Sequence, residues 1–363
     1  MSTKRKAIQN IQIMRGCAAL SVALAHAAAQ FPGAAAIPRA AAAQAGVDIF
    51  FVISGFIMVY VTESKRQTGA EFFLNRCARI VPNYWLYTAL TAALALAAHS
   101  FFRETTFTLL HFILSMLFIA HPNPAIPGSA SPLLRPGWTL NFEMFFYLIF
   151  ALSFFAWKRR VWITAGAIAA LVFIGLLFPF DSVVYRVYTS PIMLEFVFGM
   201  ILAVLYLRGL PRVPGILSLL IAIGGVLAIF AAPFAADAPH RIRVLCFGLP
   251  AFAIIGATLL VGDMARGAVG KLLTRLGDAS YSIYLTHPFT VAGCRVVARK
   301  LHLEPHSMAA QIAFILVAVI AAALVGVLAY QWIETRLIQW TRLLLNRKIE
   351  TAAPAPAAYR EAQ

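Results

Sequence analysis

The chain has 363 residues, 61% hydrophobic and 12% charged, with mean hydropathy +0.81; soluble domains run at about 45–50% apolar and 25% charged, so the composition excludes a soluble fold and indicates a polytopic membrane protein. The net charge of +16 sits in short clusters between apolar runs, which is how membrane topology is written and not how a nucleic-acid face is built. Cys17, Cys77, Cys246 and Cys294 show no C-x-x-C spacing and lie in or beside apolar runs, so they read as buried thiols, and neither H-E-x-x-H nor a P-loop pattern occurs.

A membrane span needs about 20 mostly apolar residues. Candidate runs lie near 8–30, 45–63, 80–98, 106–121, 138–157, 161–179, 190–207, 215–233, 243–262, 279–298 and 309–333. The basic loops test that set. With Lys4, Arg5 and Lys6 in the cytoplasm, Lys65, Arg66, Arg76 and Arg79 fall there too. If 106–121 crosses, Lys158-Arg159-Arg160 falls outside and every later basic loop inverts. If it does not cross, that cluster falls inside. So do Arg208 with Arg212, Arg266 with Lys271 and Arg275, and Arg336 with Arg342, Arg347 and Lys348. The opposite loops then hold fewer cations: Arg39, Arg103, Arg135, Arg186, Arg241, Arg243, Arg299 and Lys300. The expectation is an all-α helical bundle of ten spans with both termini cytoplasmic. The run 106–121, with His111 and a His121-Pro122-Asn123-Pro124 end, becomes an interfacial or re-entrant element. Residues 1–350 form one membrane domain, and 351–363 read as a disordered cytoplasmic tail.

In the first run, Arg15 and His26 are the strongly polar interruptions after Gln12. Eleven residues of helix are about three turns and about 16 Å, so both fall on one face at different depths. Ionisable residues inside a span mark functional sites by default. The same stretch also has the outline of a signal peptide, with small residues in Ala25-His26-Ala27, but the many later spans make a cleaved export signal unnecessary. Arg15 alone also fits a snorkelling anchor.

Asp48 begins the second span from outside, and Glu143 lies about one and a half turns into the span that opens at Trp138. His26, Asp48 and Glu143 are therefore expected at one level, where a carboxylate would orient and activate His26 as a general base. The alternative is three independent interfacial residues. Arg76 and Arg79, three apart on one cytoplasmic helical face, could present forked donors to phosphate; charge alone fits a positive-inside anchor better. Tyr281, Tyr284 and His287 recur every three residues, placing His287 near the midplane and implying a lined cavity. A structural histidine fits as well, and Glu195 divides evenly between a structural and a functional reading.

The chain resembles the membrane-bound acyltransferase family 3, in particular its exopolysaccharide-production and O-antigen acetyltransferase branch. Five stretches carry the resemblance, in family order: Ile11-Gln12-Ile13-Met14-Arg15-Gly16 through His26, Gly46–Phe56, Arg76–Trp85, Gly137–Tyr147 and Gly277–Pro288. Met14 stands where leucine is common, a volume-conserving change. The resemblance implies O-acylation of a sugar hydroxyl, with acyl-CoA (acetyl-CoA above all) as co-substrate, no bound cofactor, and location in a bacterial inner membrane. It implies that Arg15 and His26 are a functional pair and that the R-x-x-R of Arg76 and Arg79 serves the donor. The expected site is His26, Arg15, Asp48 and Glu143 for catalysis, Arg76 and Arg79 for the donor, Tyr281, Tyr284, His287 and Trp138 lining the cavity, and no metal. The expected acceptor is a glycan or lipid-linked glycan, in contact with membrane lipid and without nucleic acid. A secondary transporter or flippase for an anionic or glycolipid substrate is the competing reading, because buried His, Asp, Glu and Arg also suit proton relays.

Overall fold

The computed structural model describes residues 3–31, 40–63, 66–97, 106–210, 213–232, 240–261, 264 and 267–352. Arg39, Lys65, Arg103, Arg212, Arg266 and the expected tail beyond 352 lie outside the described residues, as do the side chains of Lys4, Arg5, Lys6, Arg241, Arg347 and Lys348.

Among the described residues all regular structure is helical. The order is α1 (Thr3–Ala28), α2 (Gly46–Thr62), α3 (Gly69–Ala97), α4 (Leu109–Met116), α5 (Trp138–Leu152), α6 (Arg160–Leu177), α7 (Val183–Tyr188) and α8 (Leu194–Gly209). Then follow α9 (Gly215–Ala231), α10 (His240–Arg243), α11 (Leu249–Leu260), α12 (Gly267–Asp278), α13 (Ser280–Lys300), α14 (Met308–Ala329) and α15 (Thr335–Ala352). Two π-helical turns, Val244–Gly248 and Tyr330–Glu334, join α10 to α11 and α14 to α15.

Six helical stretches are long and apolar enough to cross a membrane, fewer than the ten expected: Gln9–Ala28, Ala42–Thr62, Gly69–Ala97, Arg135–Leu177, Val183–Gly209 and Met308–Leu345. The shortfall has physical causes. Arg135–Leu177 counts once although its 43 residues reach about 65 Å, roughly twice a bilayer core. A break in helical geometry at Ala156 (φ −112°, ψ 63°) divides it into α5 and α6. Gly215–Ala231 and Val244–Leu260 are apolar but short, and α13 carries Arg295, Arg299 and Lys300 at its end. The eight residues of α4 cover about 12 Å and are too short to span.

The innermost helix is α2: 72% of its span is buried, against 22–50% for the other five. Phe51, Val52, Ile53 and Phe56 of α2 join Phe142, Phe146, Phe196 and Met200 in the main apolar cluster. α2 and α8 approach closely enough that a Cβ on Gly55 would lie 2.0 Å from the Phe196 carbonyl oxygen, and one on Gly199 1.9 Å from that of Val52. Paired glycines let two membrane helices bring their backbones into contact where the lipid offers no hydrophobic drive to associate. Outer faces stay apolar: Leu219, Leu220 and Leu227 on α9 and Leu316, Ile320 and Leu324 on α14 are exposed, as a lipid-facing surface requires. The cysteines are free thiols, but Cys17 is exposed and the other three half-buried, so they are not the buried set the apolar context suggested.

Candidate active site

Three arginines from two helices meet in one cavity. Arg15 of α1 and Arg76 and Arg79 of α3 line a space of about 330 Å³ with Gln12, Ser54, Glu143, Tyr147, Tyr281 and Tyr284. The cavity follows α2 from Val61 near its C-terminal end to Val47 near its N-terminal end, about 21 Å of helix. Two carboxylates lie close enough to attract the arginines without bonding to them. Glu143 accepts hydrogen bonds from Ser54 Oγ at 3.0 Å and from the Tyr147 hydroxyl, and attracts Arg15 and Arg76. Glu334, buried in the second π-turn, accepts from Ser282 Oγ at 2.5 Å and attracts Arg79 and Arg15. Arg15 also donates to Gln12 Oε1 at 3.1 Å, and the Gln12 amide donates to Asp278 Oδ1 at 2.6 Å. Three cations against the one acid on the wall, Glu143, leave it positive. Arg76 Nε is buried without a hydrogen-bond partner among the described residues, a donor available to an anionic ligand.

The far end of the cavity is closed by hydrogen bonds. The Tyr284 hydroxyl donates to the Pro136 carbonyl at 2.9 Å and lies 2.8 Å from Thr139 Oγ1. Tyr281 donates to the Ile80 carbonyl at 2.8 Å, within the turn of α3 that Pro82 disturbs. Behind Tyr284 stands the histidine pair. His26 Nδ1 is 2.6 Å from His287 Nε2, and His287 Nδ1 is 2.7 Å from the Tyr284 carbonyl oxygen. His26 is exposed and His287 wholly buried.

This geometry corrects the sequence expectation at several residues. His26 pairs with neither Asp48 nor Glu143; its partner is His287. Asp48 is turned away into a buried ion pair, with Arg243 Nη2 2.6 Å from Oδ2 and Arg243 Nε 3.1 Å from Oδ1. Glu195, also wholly buried, interacts with both Asp48 and Arg243. A carboxylate buried deeply in apolar surroundings needs a charged partner, and Arg243, which sequence alone assigned to an outer loop, supplies it. Glu143 faces the arginine cavity. Trp138 does not line the cavity: its ring packs edge-on against Phe51 and Phe142 at 6.4 and 5.9 Å. His287 does not line it either, standing behind Tyr284, whereas Tyr281 and Tyr284 are on the wall.

Residues 8–331 match the family of the acyltransferase domain. The chain belongs to acyltransferase family 3. It is 38% identical over 302 residues to the exopolysaccharide production protein ExoZ of Rhizobium meliloti (strain 1021), covering 81% of this chain and 89% of that one. It is 28% identical over 343 residues to the acyltransferase MdmB of Streptomyces mycarofaciens, covering 86% and 84%. A third relative, protein 2 in the picA locus of Rhizobium radiobacter, is 30% identical over 153 residues, 38% of this chain and 78% of that one. No solved structure matches. The protein is thus a membrane acyltransferase, an enzyme that transfers acyl groups, and membership of the family decides against the transporter reading.

Sequence reasoning about this acyltransferase missed Ser54, Tyr147, Glu334 and Arg243. Ser54 and Tyr147 lie inside the motifs that carry the family resemblance, where a hydroxyl on a helix gives no signal of its own. Glu334 had a readable signal: a lone acid between the apolar run 309–333 and a basic segment. Among the described residues no three His, Cys, Asp or Glu side chains are grouped to hold a metal ion.

Proposed function

We propose that this acyltransferase moves an acetyl group from acetyl-CoA to a sugar hydroxyl of a cell-surface or exported polysaccharide, or of its lipid-linked precursor. The observation that carries the reading is the arginine-lined cavity that ends at Tyr284, the residue whose carbonyl holds the histidine pair. Arg76 and Arg79 receive the phosphates of the donor, and Arg15 complements its charge deeper in. Glu143 and Glu334 offset part of the arginine charge instead of serving the base. The pantetheine arm lies along α2, and the hydrogen-bonded closure of Tyr284, Thr139 and Pro136 favours a short acyl group over a long chain. Tyr284 is the partition the acyl group passes to reach His26. There the imidazole takes the hydroxyl proton while the sugar oxygen bonds to the thioester carbonyl carbon. The carbon–sulfur bond breaks, and the proton passes to the departing thiolate. Similarity to a protein named for exopolysaccharide production supports the acceptor class.

Ten crossings of the bacterial inner membrane, with both termini cytoplasmic, give this path its direction. Splitting α5 from α6 and adding α9, α11 with its π-turn, and α13 to the six long stretches accounts for ten. A reporter fused after Arg160 is then expected to read as cytoplasmic; an external reading overturns the assignment of α4 as non-crossing. For the function itself, thioester consumption by purified protein with a glycan acceptor is measured together with mass spectrometry of surface polysaccharide from cells with and without the gene. The expected result is an added mass of one acetyl ester per modified sugar, present only with the gene. Identical polysaccharide in both strains, with no thioester consumed, rejects the reading.

A further inference from the structure

The histidine pair has a direction, set by groups that leave little choice. The Tyr284 carbonyl can only accept a hydrogen bond, so His287 Nδ1, 2.7 Å from it, carries a proton. His287 is wholly buried, and its two nitrogens face a carbonyl and a second imidazole, neither of which carries the negative charge needed to offset a buried imidazolium. The ring is therefore neutral, and Nε2 is its lone-pair nitrogen. His26 Nδ1 lies 2.6 Å from that Nε2 and must supply the proton between them. The ring planes are within 6° of parallel with centroids 4.8 Å apart. Combined with nitrogens at 2.6 Å, this puts the rings edge to edge, with the hydrogen bond running in both planes, and not one over the other. The proton on His26 Nδ1 leaves His26 Nε2 as an unprotonated acceptor on an exposed side chain.

The geometry points to His287 as a positioning residue that, anchored on the Tyr284 carbonyl, locks His26 in the Nδ1–H tautomer and so presents Nε2 as the nitrogen that receives the acceptor's proton. The inference rests on the base role proposed above for His26. The orienting partner is an imidazole where the sequence suggested a carboxylate, and the chemical task is the same: the hydrogen bond made by one ring nitrogen decides what the other can do. When His26 takes the hydroxyl proton on Nε2, the Nδ1–H···Nε2 bond becomes charge-assisted and stabilises the imidazolium. The proton leaves again with the thiolate, so His287 is unchanged over the cycle. Because Tyr284 also closes the donor cavity, the residue that borders the acyl group is the one that anchors His287.

The test uses the full-length protein in nanodiscs and reads two things. The first is kcat and the KM for acetyl-CoA in His287→Gln and His287→Leu. Gln places a carbonyl oxygen where Nε2 stood and accepts the His26 proton, whereas Leu keeps bulk without an acceptor. Gln is expected to stay within a few-fold of wild type, and Leu to lower kcat by about 10–100-fold, the usual cost of losing an orienting partner, with KM unchanged. The second is the ¹⁵N signature of His26 in histidine-labelled wild type, assigned by its loss in His26→Gln. It is expected to show a protonated Nδ1 and a bare Nε2, and to turn into a tautomer mixture in His287→Leu. Equal activity of Leu and Gln, or a wild-type His26 protonated on Nε2, overturns the inference. Wild-type transfer by His26→Gln rejects the base role instead, and the ¹⁵N signature then still decides the direction of the hydrogen bond.

Discussion

His26→Ala is expected to lower acyl transfer by about 10²–10⁴-fold, the usual contribution of a general base, while binding of acetyl-CoA stays at the wild-type level. The separation of the two effects follows from position. His26 is about 16 Å along α1 from Arg15, stands on the far side of the Tyr284 closure, and is not part of the cavity wall. Its loss removes no donor contact. The side chain is exposed and, among the described residues, makes one hydrogen bond, to His287, so truncation removes little packing and the protein should still insert. His26→Gln sharpens the test. Its amide keeps a hydrogen-bonding group but cannot accept and release a proton at neutral pH, so it should be nearly as inactive as alanine. Transfer to polysaccharide, protein level and acetyl-CoA binding are measured for both variants. Near wild-type transfer by His26→Gln would make the imidazole a structural group and would remove the base from the mechanism.

The Arg76→Ala, Arg79→Ala double variant is expected to weaken acetyl-CoA binding by about 10²–10⁴-fold. Each charge-assisted contact with phosphate contributes about 1.5–3 kcal/mol, and every 1.4 kcal/mol is about tenfold. Lysine at both positions keeps the charge without the fork that matches a phosphate edge, so it should recover part of the affinity and less than arginine. Removing the two cations also leaves Arg15 as the cation of this group that offsets Glu143 and Glu334, so the unfolding midpoint in detergent is recorded beside the titration. A stable double variant that binds acetyl-CoA like wild type would eliminate the donor site.

The membrane class, the positions of most apolar helices and the placement of Arg76 with Arg79 and of Tyr281 with Tyr284 were legible without coordinates, because each rests on local pattern. Apolar runs of span length and basic loops report the bilayer directly. Helical spacing places Arg76 with Arg79, and Tyr281 with Tyr284, on one face. What failed was every inference that needed a distance between helices. Depth along a helix follows from counting residues, but rotation about its axis is set by what it packs against. Thus Asp48 and His26, expected at one depth, have different neighbours. Asp48 is turned toward Arg243, 195 positions away, because a wholly buried carboxylate is stable only beside a cation. His26 meets His287, 261 positions away, because α1 packs on α13. Packing of distant helices likewise gathers Arg15 of α1 with Arg76 and Arg79 of α3 in one cavity, and the π-turn after α14 brings Glu334 within electrostatic reach of Arg15 and Arg79. The sequence by itself determined which residues could carry charge into the membrane; the tertiary structure decided which of them face one another, since a pair in a low-dielectric interior is selected by contact and not by separation along the chain.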